Sequence, residues 1–178
     1  MTEPASRARN GGWSADEAVT HLYSGHYASL VRLATMLLSD QGRAEEVVQD
    51  AYVSLHGRWS RLSDPDKALA YLRTSVVNGA RSQLRHRAVA DRHRPSSPEP
   101  VGSAEASALA AEERRELLAA LDGLSDRQRE VLLLRYYLDL SEADIAETLR
   151  ISRGAVKTHS SRGIAALRAN PRTTWRRS

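Results

Sequence analysis

A chain of 178 residues holds one ordinary domain, or two small ones each near the lower size limit for an independent core. Hydrophobic residues make up 41% and charged residues 27%, enough for a folded core under a soluble surface; with no Phe, aliphatic side chains and Ala must fill that core, which suits helices better than a sheet sandwich. The absence of cysteine excludes a disulfide scaffold, a thiolate metal site and a cysteine nucleophile, and no apolar run approaches the ~20 residues that span a bilayer.

Residues 1–12 are polar and lack the apolar stretch of a secretion signal, so the expected location is cytoplasmic, with no membrane partner. The net charge of +4 is only a weak pointer to nucleic acid, and its distribution matters more than its size. The expected fold is all-α, two small helical domains joined by a flexible linker. The first lobe spans 13–90, the linker 91–105 and the second lobe 106–170, with a basic tail at 171–178. The linker is marked by DRHRPSSPEPVGSA, whose prolines, serines and glycine can neither continue a helix nor supply a core. Both chain ends are expected to fray.

In the first helix, Val19, Leu22, Tyr23, His26, Tyr27, Leu30, Val31, Ala34, Leu37 and Leu38 recur on one face, and Ser39-Asp40-Gln41-Gly42 stops it. The second helix is expected over 43–59, burying Ala44, Val47, Val48, Ala51, Tyr52, Leu55 and Trp59. Its opposite side carries Glu45, Glu46, Gln49 and Asp50, with Val53 as an apolar residue lacking a core role. This is either a soluble helix surface or a docking face with an apolar contact at its centre. After a loop at 60–66 with Pro65, a third helix to about His86 is expected to bury Leu69, Leu72, Val76, Ala80 and Leu84. Six arginines fall between Arg73 and Arg94 against one acid, Asp91, making a basic run that is either a solvated face or a nucleic-acid contact.

The second lobe opens with a helix over 107–121, broken by Gly123. Ser125…Gln128 and Ser141…Asp144 read as capping boxes, and Ser152 as the cap of a final helix over 153–169. Val131, Leu132, Leu134 and Leu138 supply the apolar side of the helix that follows Ser125. Each cap contributes about 1 kcal/mol. A short helix, the tight turn Leu149-Arg150-Ile151-Ser152 and a second helix form a helix-turn-helix plan. Ile145, Leu149, Ile151 and Val156 are its expected small core, with Ser160, Gly163 and Leu167 also facing inward. Arg153, Lys157 and Ser161 then lie at four-residue spacing on the outer side, with Thr158 and Arg162 beside them, as donors for phosphates and base edges. The helix amides at Gly154 and Ala155 are open to a phosphate. The bland alternative is a helical hairpin with a solvated basic face.

Catalysis finds little support. His21 and His26 are five apart, His56, His86, His93 and His159 are scattered, and HExxH, P-loop and GxGxxG motifs are missing. No metal site, no cofactor and no catalytic residue is expected.

Three segments in order, AEEVVQDAYVSLHGRW, YLRTSVVNGARSQLRHR and LSDRQREVLLLRYYLDLSEADIAETLRISRGAVKTHSSRGIAALR, resemble an extracytoplasmic-function sigma factor of bacterial RNA polymerase across both lobes. The resemblance implies region 2 before the linker and region 4 after it, and a factor that directs promoter-specific initiation. It implies that Glu45, Glu46, Gln49, Asp50 and Val53 dock on the clamp coiled coil of the polymerase largest subunit, that the flap of the second subunit is a further contact, and that the linker threads the cleft. The −10 element would be read and opened by the third helix, with Asn78 beside a pocket for a flipped base and Arg73, Arg81, Ser82 and Arg85 along the strand. The −35 element would be read by Arg153, Lys157, Thr158, Ser161 and Arg162. Ser82 stands where many relatives carry Asp or Asn, and Ser161 is smaller than the side chain some relatives use. An anti-sigma protein is a further implied partner. Two other classes are a response-regulator-like activator, similar in the second lobe only, and a nucleic-acid-processing enzyme.

Overall fold

The computed structural model describes residues 13–62, 64–91 and 108–170. Among them there are helices and no strand, so the all-α expectation holds. The chain divides into two units, Met1–Pro95 and Ser96–Ser178. The expected tail at 171–178 and almost all of the expected linker lie outside the described residues, as do residues 1–12. Asp91, the first residue of that linker, is the last residue of a helix.

The first unit holds three long helices: α1 (Ala15–Leu38), α2 (Gln41–Arg58) and α3 (Ala68–Asp91). Ser14 opens α1 with a full capping box, its hydroxyl accepting from the Glu17 amide while the Glu17 carboxylate accepts from the Ser14 amide. The stop after α1 is shorter than expected. Ser39 turns the chain alone, in the left-handed region at φ 54°. Asp40 is already the N-cap of α2, accepting from the Arg43 amide, and Gln41-Gly42 are the first residues of α2. A two-residue turn forces α1 and α2 to run antiparallel and in contact. Between α2 and α3 the expected loop contains two short 3-10 turns, Trp59–Arg61 and Pro65–Lys67.

All seven residues expected on the buried side of α2 are buried. On α1 the periodic reading was less accurate: Leu33 joins Leu30, Ala34, Leu37 and Leu38 in the core, whereas Tyr23 is exposed. Tyr23 stacks on Tyr27, and both rings approach Tyr52. On α3 the core residues are Ala68, Leu72, Val76, Val77 and Ala80; Leu69 and Leu84 are only half-buried. Helix α3 also continues past His86 to Asp91, because Ala88, Val89 and Ala90 do not stop a helix and the prolines that do come later.

Polar ties fix how these helices meet. Tyr52 donates from its hydroxyl to the Leu22 carbonyl at 2.9 Å, and the Trp59 indole donates to the Trp13 carbonyl at 3.1 Å, so α2 is pinned to α1 and to the segment before it. The Ser54 and Tyr71 hydroxyls meet at 2.7 Å between α2 and α3. At Gly79 an added Cβ would stand 2.7 Å from a Val47 methyl, so α3 approaches α2 closely there.

The second unit holds α4 (Ala108–Asp122), α5 (Asp126–Leu132), a π-helical turn Leu133–Tyr137, α6 (Glu142–Leu149) and α7 (Arg153–Ala169). Ser125 and Gln128 form the expected capping box. At Ser141 only half of it forms. Its hydroxyl accepts from the Asp144 amide, but the Asp144 carboxylate accepts from that same hydroxyl at 2.6 Å. Asp is one methylene shorter than the Glu or Gln that reaches back to the N-cap amide. The core is Leu121, Leu124, Val131, Leu132, Leu133, Leu134, Ile145, Leu149 and Val156, with Leu138 half-buried.

Burial pushes the Tyr52 phenol up to about 12, with the neighbouring Tyr23 and Tyr27 adding to the rise. The fold therefore favours the neutral phenol that donates to Leu22. Its contribution is complete below the ordinary tyrosine value of 10.0 and is lost as pH rises towards about 12. Urea unfolding across that range should show the first unit losing stability, and Tyr52→Phe should remove the part due to Tyr52. An identical alkaline loss in wild type and Tyr52→Phe would contradict this.

Candidate nucleic-acid interface

Helix α7 presents two sharply different sides. Val156, Ser160 and Gly163 are buried, and an added Cβ at Gly163 would stand 2.8 Å from the Leu132 Cδ1, so α7 lies tightly on α5. Ile151 and Leu167, expected inside, are half-buried. On the outer side Arg153, Lys157, Thr158, Ser161 and Arg162 are all exposed. The structure thus brings the five residues expected to read DNA onto one accessible surface.

The turn that aims this surface is built by Arg150, whose φ of 53° ends α6 in the left-handed region. Ser152 then caps α7 by accepting from the Ala155 amide at 3.1 Å. That contact corrects one expectation: the Ala155 amide is occupied, while the Arg153 and Gly154 amides precede the first intrahelical hydrogen bond of α7. Thr158 donates from its hydroxyl to the Gly154 carbonyl at 3.0 Å, leaving its oxygen lone pairs and methyl for an outside contact.

Sequence reasoning missed Arg135 and Arg168, which line a shallow groove together with Lys157 and Ser161. From Val131, helical spacing carries position 135 to the buried side. Arg135 lies within the π-helical turn closed by the Leu138 amide on the Leu133 carbonyl, and it is half-buried, with its guanidinium reaching the groove. Arg135 donates to Glu142 at 3.1 Å, and that hydrogen bond holds its guanidinium still more firmly charged.

In the first unit, α3 turns Asn78, Arg81, Ser82 and Arg85 into one outward arc, while Arg73 falls about 80° from Arg81, on the flank of the core. Asn78 and Arg85 are exposed; Arg73, Arg81 and Ser82 are half-buried. Arg81 donates to the Asn78 side-chain oxygen at 3.3 Å, so these two expected site residues are in contact. On α2, Glu46, Gln49, Asp50 and Val53 share the side opposite the core, and Val53 is 72% exposed. Glu45 sits instead on the flank, half-buried, accepting from Gln41 at 3.0 Å. Among the described residues no group of three His, Cys, Asp or Glu side chains could hold a metal ion, and no helix is long and apolar enough to cross a membrane.

Two family models match the chain, one in each unit. The family described as Sigma-70 region 2 matches residues 22–89, and Sigma-70, region 4 matches 114–167. The RNA polymerase sigma-E factor of Streptomyces avermitilis is 32% identical over 140 residues, covering 79% of this chain and 77% of that one. The ECF RNA polymerase sigma factor SigK of Mycolicibacterium vanbaalenii is 32% identical over 161 residues, covering 85% and 81%. Two solved structures share the fold: the sigma factor RpoE of Bartonella quintana, in complex with the anti-sigma factor NepR, has a TM-score of 0.68 at 24% identity, covering 84% of this chain and 93% of that one. CnrH, in complex with the cytosolic domain of CnrY, has 0.66 at 23%, covering 93% and 96%. The chain belongs to the sigma-70 family of RNA polymerase sigma factors, in its extracytoplasmic-function class. The region 2 match excludes the response-regulator reading, which could explain the second unit only.

A left-handed backbone costs a residue with a Cβ roughly 1–2 kcal/mol, and glycine gives back about 0.5–1 kcal/mol of that in unfolded-state entropy. Arg150→Gly should therefore stabilise the second unit by about 0.5–1 kcal/mol, seen as a higher urea midpoint for its unfolding transition. A lower midpoint would contradict the turn geometry.

Proposed function

We propose that this sigma factor divides promoter recognition and polymerase binding among three helix surfaces. The exposed side of α7, with Arg153, Lys157, Thr158, Ser161 and Arg162, reads the −35 element in the major groove. The outward arc of α3, with Asn78, Arg81, Ser82 and Arg85, takes the −10 element, Asn78 lying beside the flipped base and Arg73 reaching the strand from the flank. The outer side of α2 binds the polymerase core through Glu46, Gln49, Asp50 and Val53, with Glu45 at its edge.

The observation that carries this reading is the exposure of all five α7 residues on a helix whose other side is packed on α5. A helix held this way can enter a groove without losing its own support. Val53 adds support for the α2 assignment, since an apolar side chain 72% exposed among acids and amides suits a partner contact. The flap of the second polymerase subunit and an anti-sigma protein are further partners that family membership suggests. The chain acts by binding, without an active site of its own, and works in the cytoplasm, where promoter DNA and polymerase meet.

Two families of variants test this in run-off transcription with purified core. Lys157→Ala and Arg162→Ala should each weaken −35-dependent transcription by roughly 1–3 kcal/mol where the contact is to a base, with core binding intact. Asp50→Lys should lower core affinity without changing which promoters are used. Normal transcription by both α7 variants would overturn the α7 assignment. DNA cleavage that disappears on changing Glu46 and Asp50 would show an enzyme instead.

A further inference from the structure

An acid stands among the cations of the α7 groove. Arg135, Tyr136, Glu142, Lys157, Ser161 and Arg168 all line it. Glu142, the first residue of α6, divides its carboxylate between two cations from different elements. One oxygen accepts from the Arg135 guanidinium at 3.1 Å, and the other lies 3.8 Å from the Lys157 ammonium. Arg135 comes from the π-helical turn and Lys157 from α7, so one side chain links both. The side chains of Arg135, Glu142 and Lys157 are 36%, 31% and 69% exposed, open to water and to a polyanion alike.

A DNA duplex carries one negative charge per ~1.7 Å of its axis. A phosphate drawn to Arg135 or Lys157 meets the Glu142 carboxylate there, and the two anions cannot share the cations without repulsion. We propose that Glu142 is an internal counter-ion of the DNA face: it occupies Arg135 and Lys157 in the free protein and must release them before they can hold a phosphate or a base edge. Non-specific DNA offers too little in return for this exchange. Glu142 therefore lowers the affinity of α7 for all DNA alike, and a correct site, which offers base contacts as well, is the one still held. The inference rests on α7 being the DNA-reading helix. If Glu142 were only a strut that orients the two cations, its removal would weaken DNA binding rather than strengthen it.

Fluorescence anisotropy of the full chain with a labelled short duplex of random sequence, at low salt, separates these cases. Exposed ion pairs contribute up to about 1 kcal/mol each, so Glu142→Gln should tighten binding about three- to tenfold. It should also steepen the salt dependence, because no carboxylate recaptures a cation on binding. Glu147→Gln removes the same charge from another exposed position on α6 and should change affinity less than twofold. Unchanged or weaker binding by Glu142→Gln overturns the inference, as does equal tightening by the two variants. Lys157→Ala should weaken binding more in the Glu142→Gln background than in wild type. If it has no effect in either, the assignment of α7 fails, not only the role of Glu142. Should Glu142→Gln unfold the second unit, Glu142→Asp serves instead. Its shorter arm cannot span both cations, so binding should again tighten, and no change overturns the proposal.

Discussion

How closely α7 lies on α5 governs what the second unit can present. At Gly163 any side chain would run into Leu132 at 2.8 Å, so the two helices meet nearly backbone to side chain. That contact consumes one side of α7 and fixes its rotation. With the rotation fixed, Lys157, Ser161 and Arg162 have nowhere to go but outward. Val156, fully buried like Ile145 and Leu149 of α6, anchors the start of α7 where the two helices meet. Specific recognition needs a side chain held to a fraction of an ångström, and here packing supplies that precision to residues that do not pack themselves.

The first unit follows the same logic with opposite charge on neighbouring helices. Helix α2 buries an unbroken apolar side and turns Glu46, Asp50 and Val53 away from it, whereas α3 turns Asn78, Arg81 and Arg85 outward. The two surfaces suit different partners: a polyanion for α3, and for α2 a protein face able to meet both acids and an apolar contact. A negative α2 surface also repels DNA, so a polyanion is steered to α3 and not to α2. In the second unit the segregation is less complete, since Glu142 sits among cations. That local exception distinguishes two ways of handling DNA, attraction everywhere and attraction only where a better partner displaces an acid.

Helix existence, the N-cap residues and the exposed set on α7 were legible because each depends on spacing within one element. Six α2 positions, and Trp59 in the 3-10 turn just after it, repeat at helical period, and all seven residues are buried. What was not legible depends on other elements or on departures from the ideal helix. Tyr23 fits the apolar period of α1, yet its ring sits at the surface, stacked on Tyr27. Glu45 and Arg73 carry the right chemistry for their expected partners but fall on the flanks of their helices. Arg135 escaped because it shares the apolar face of Val131 by spacing and is half-buried, and its long side chain reaches the groove all the same. The Glu142 contacts escaped because they join residues 7 and 15 positions away, through a fold that only packing reveals.

Site-specific photo-crosslinking in a reconstituted polymerase–promoter complex tests most directly whether α7 faces DNA while the outer side of α2 faces the polymerase. A crosslinker in place of Ser161 should attach to DNA at the −35 element, and one in place of Val53 to the largest polymerase subunit. Attachment of the Val53 probe to DNA, or failure of the Ser161 probe to reach DNA in an actively transcribing complex, would contradict these assignments of α2 and α7.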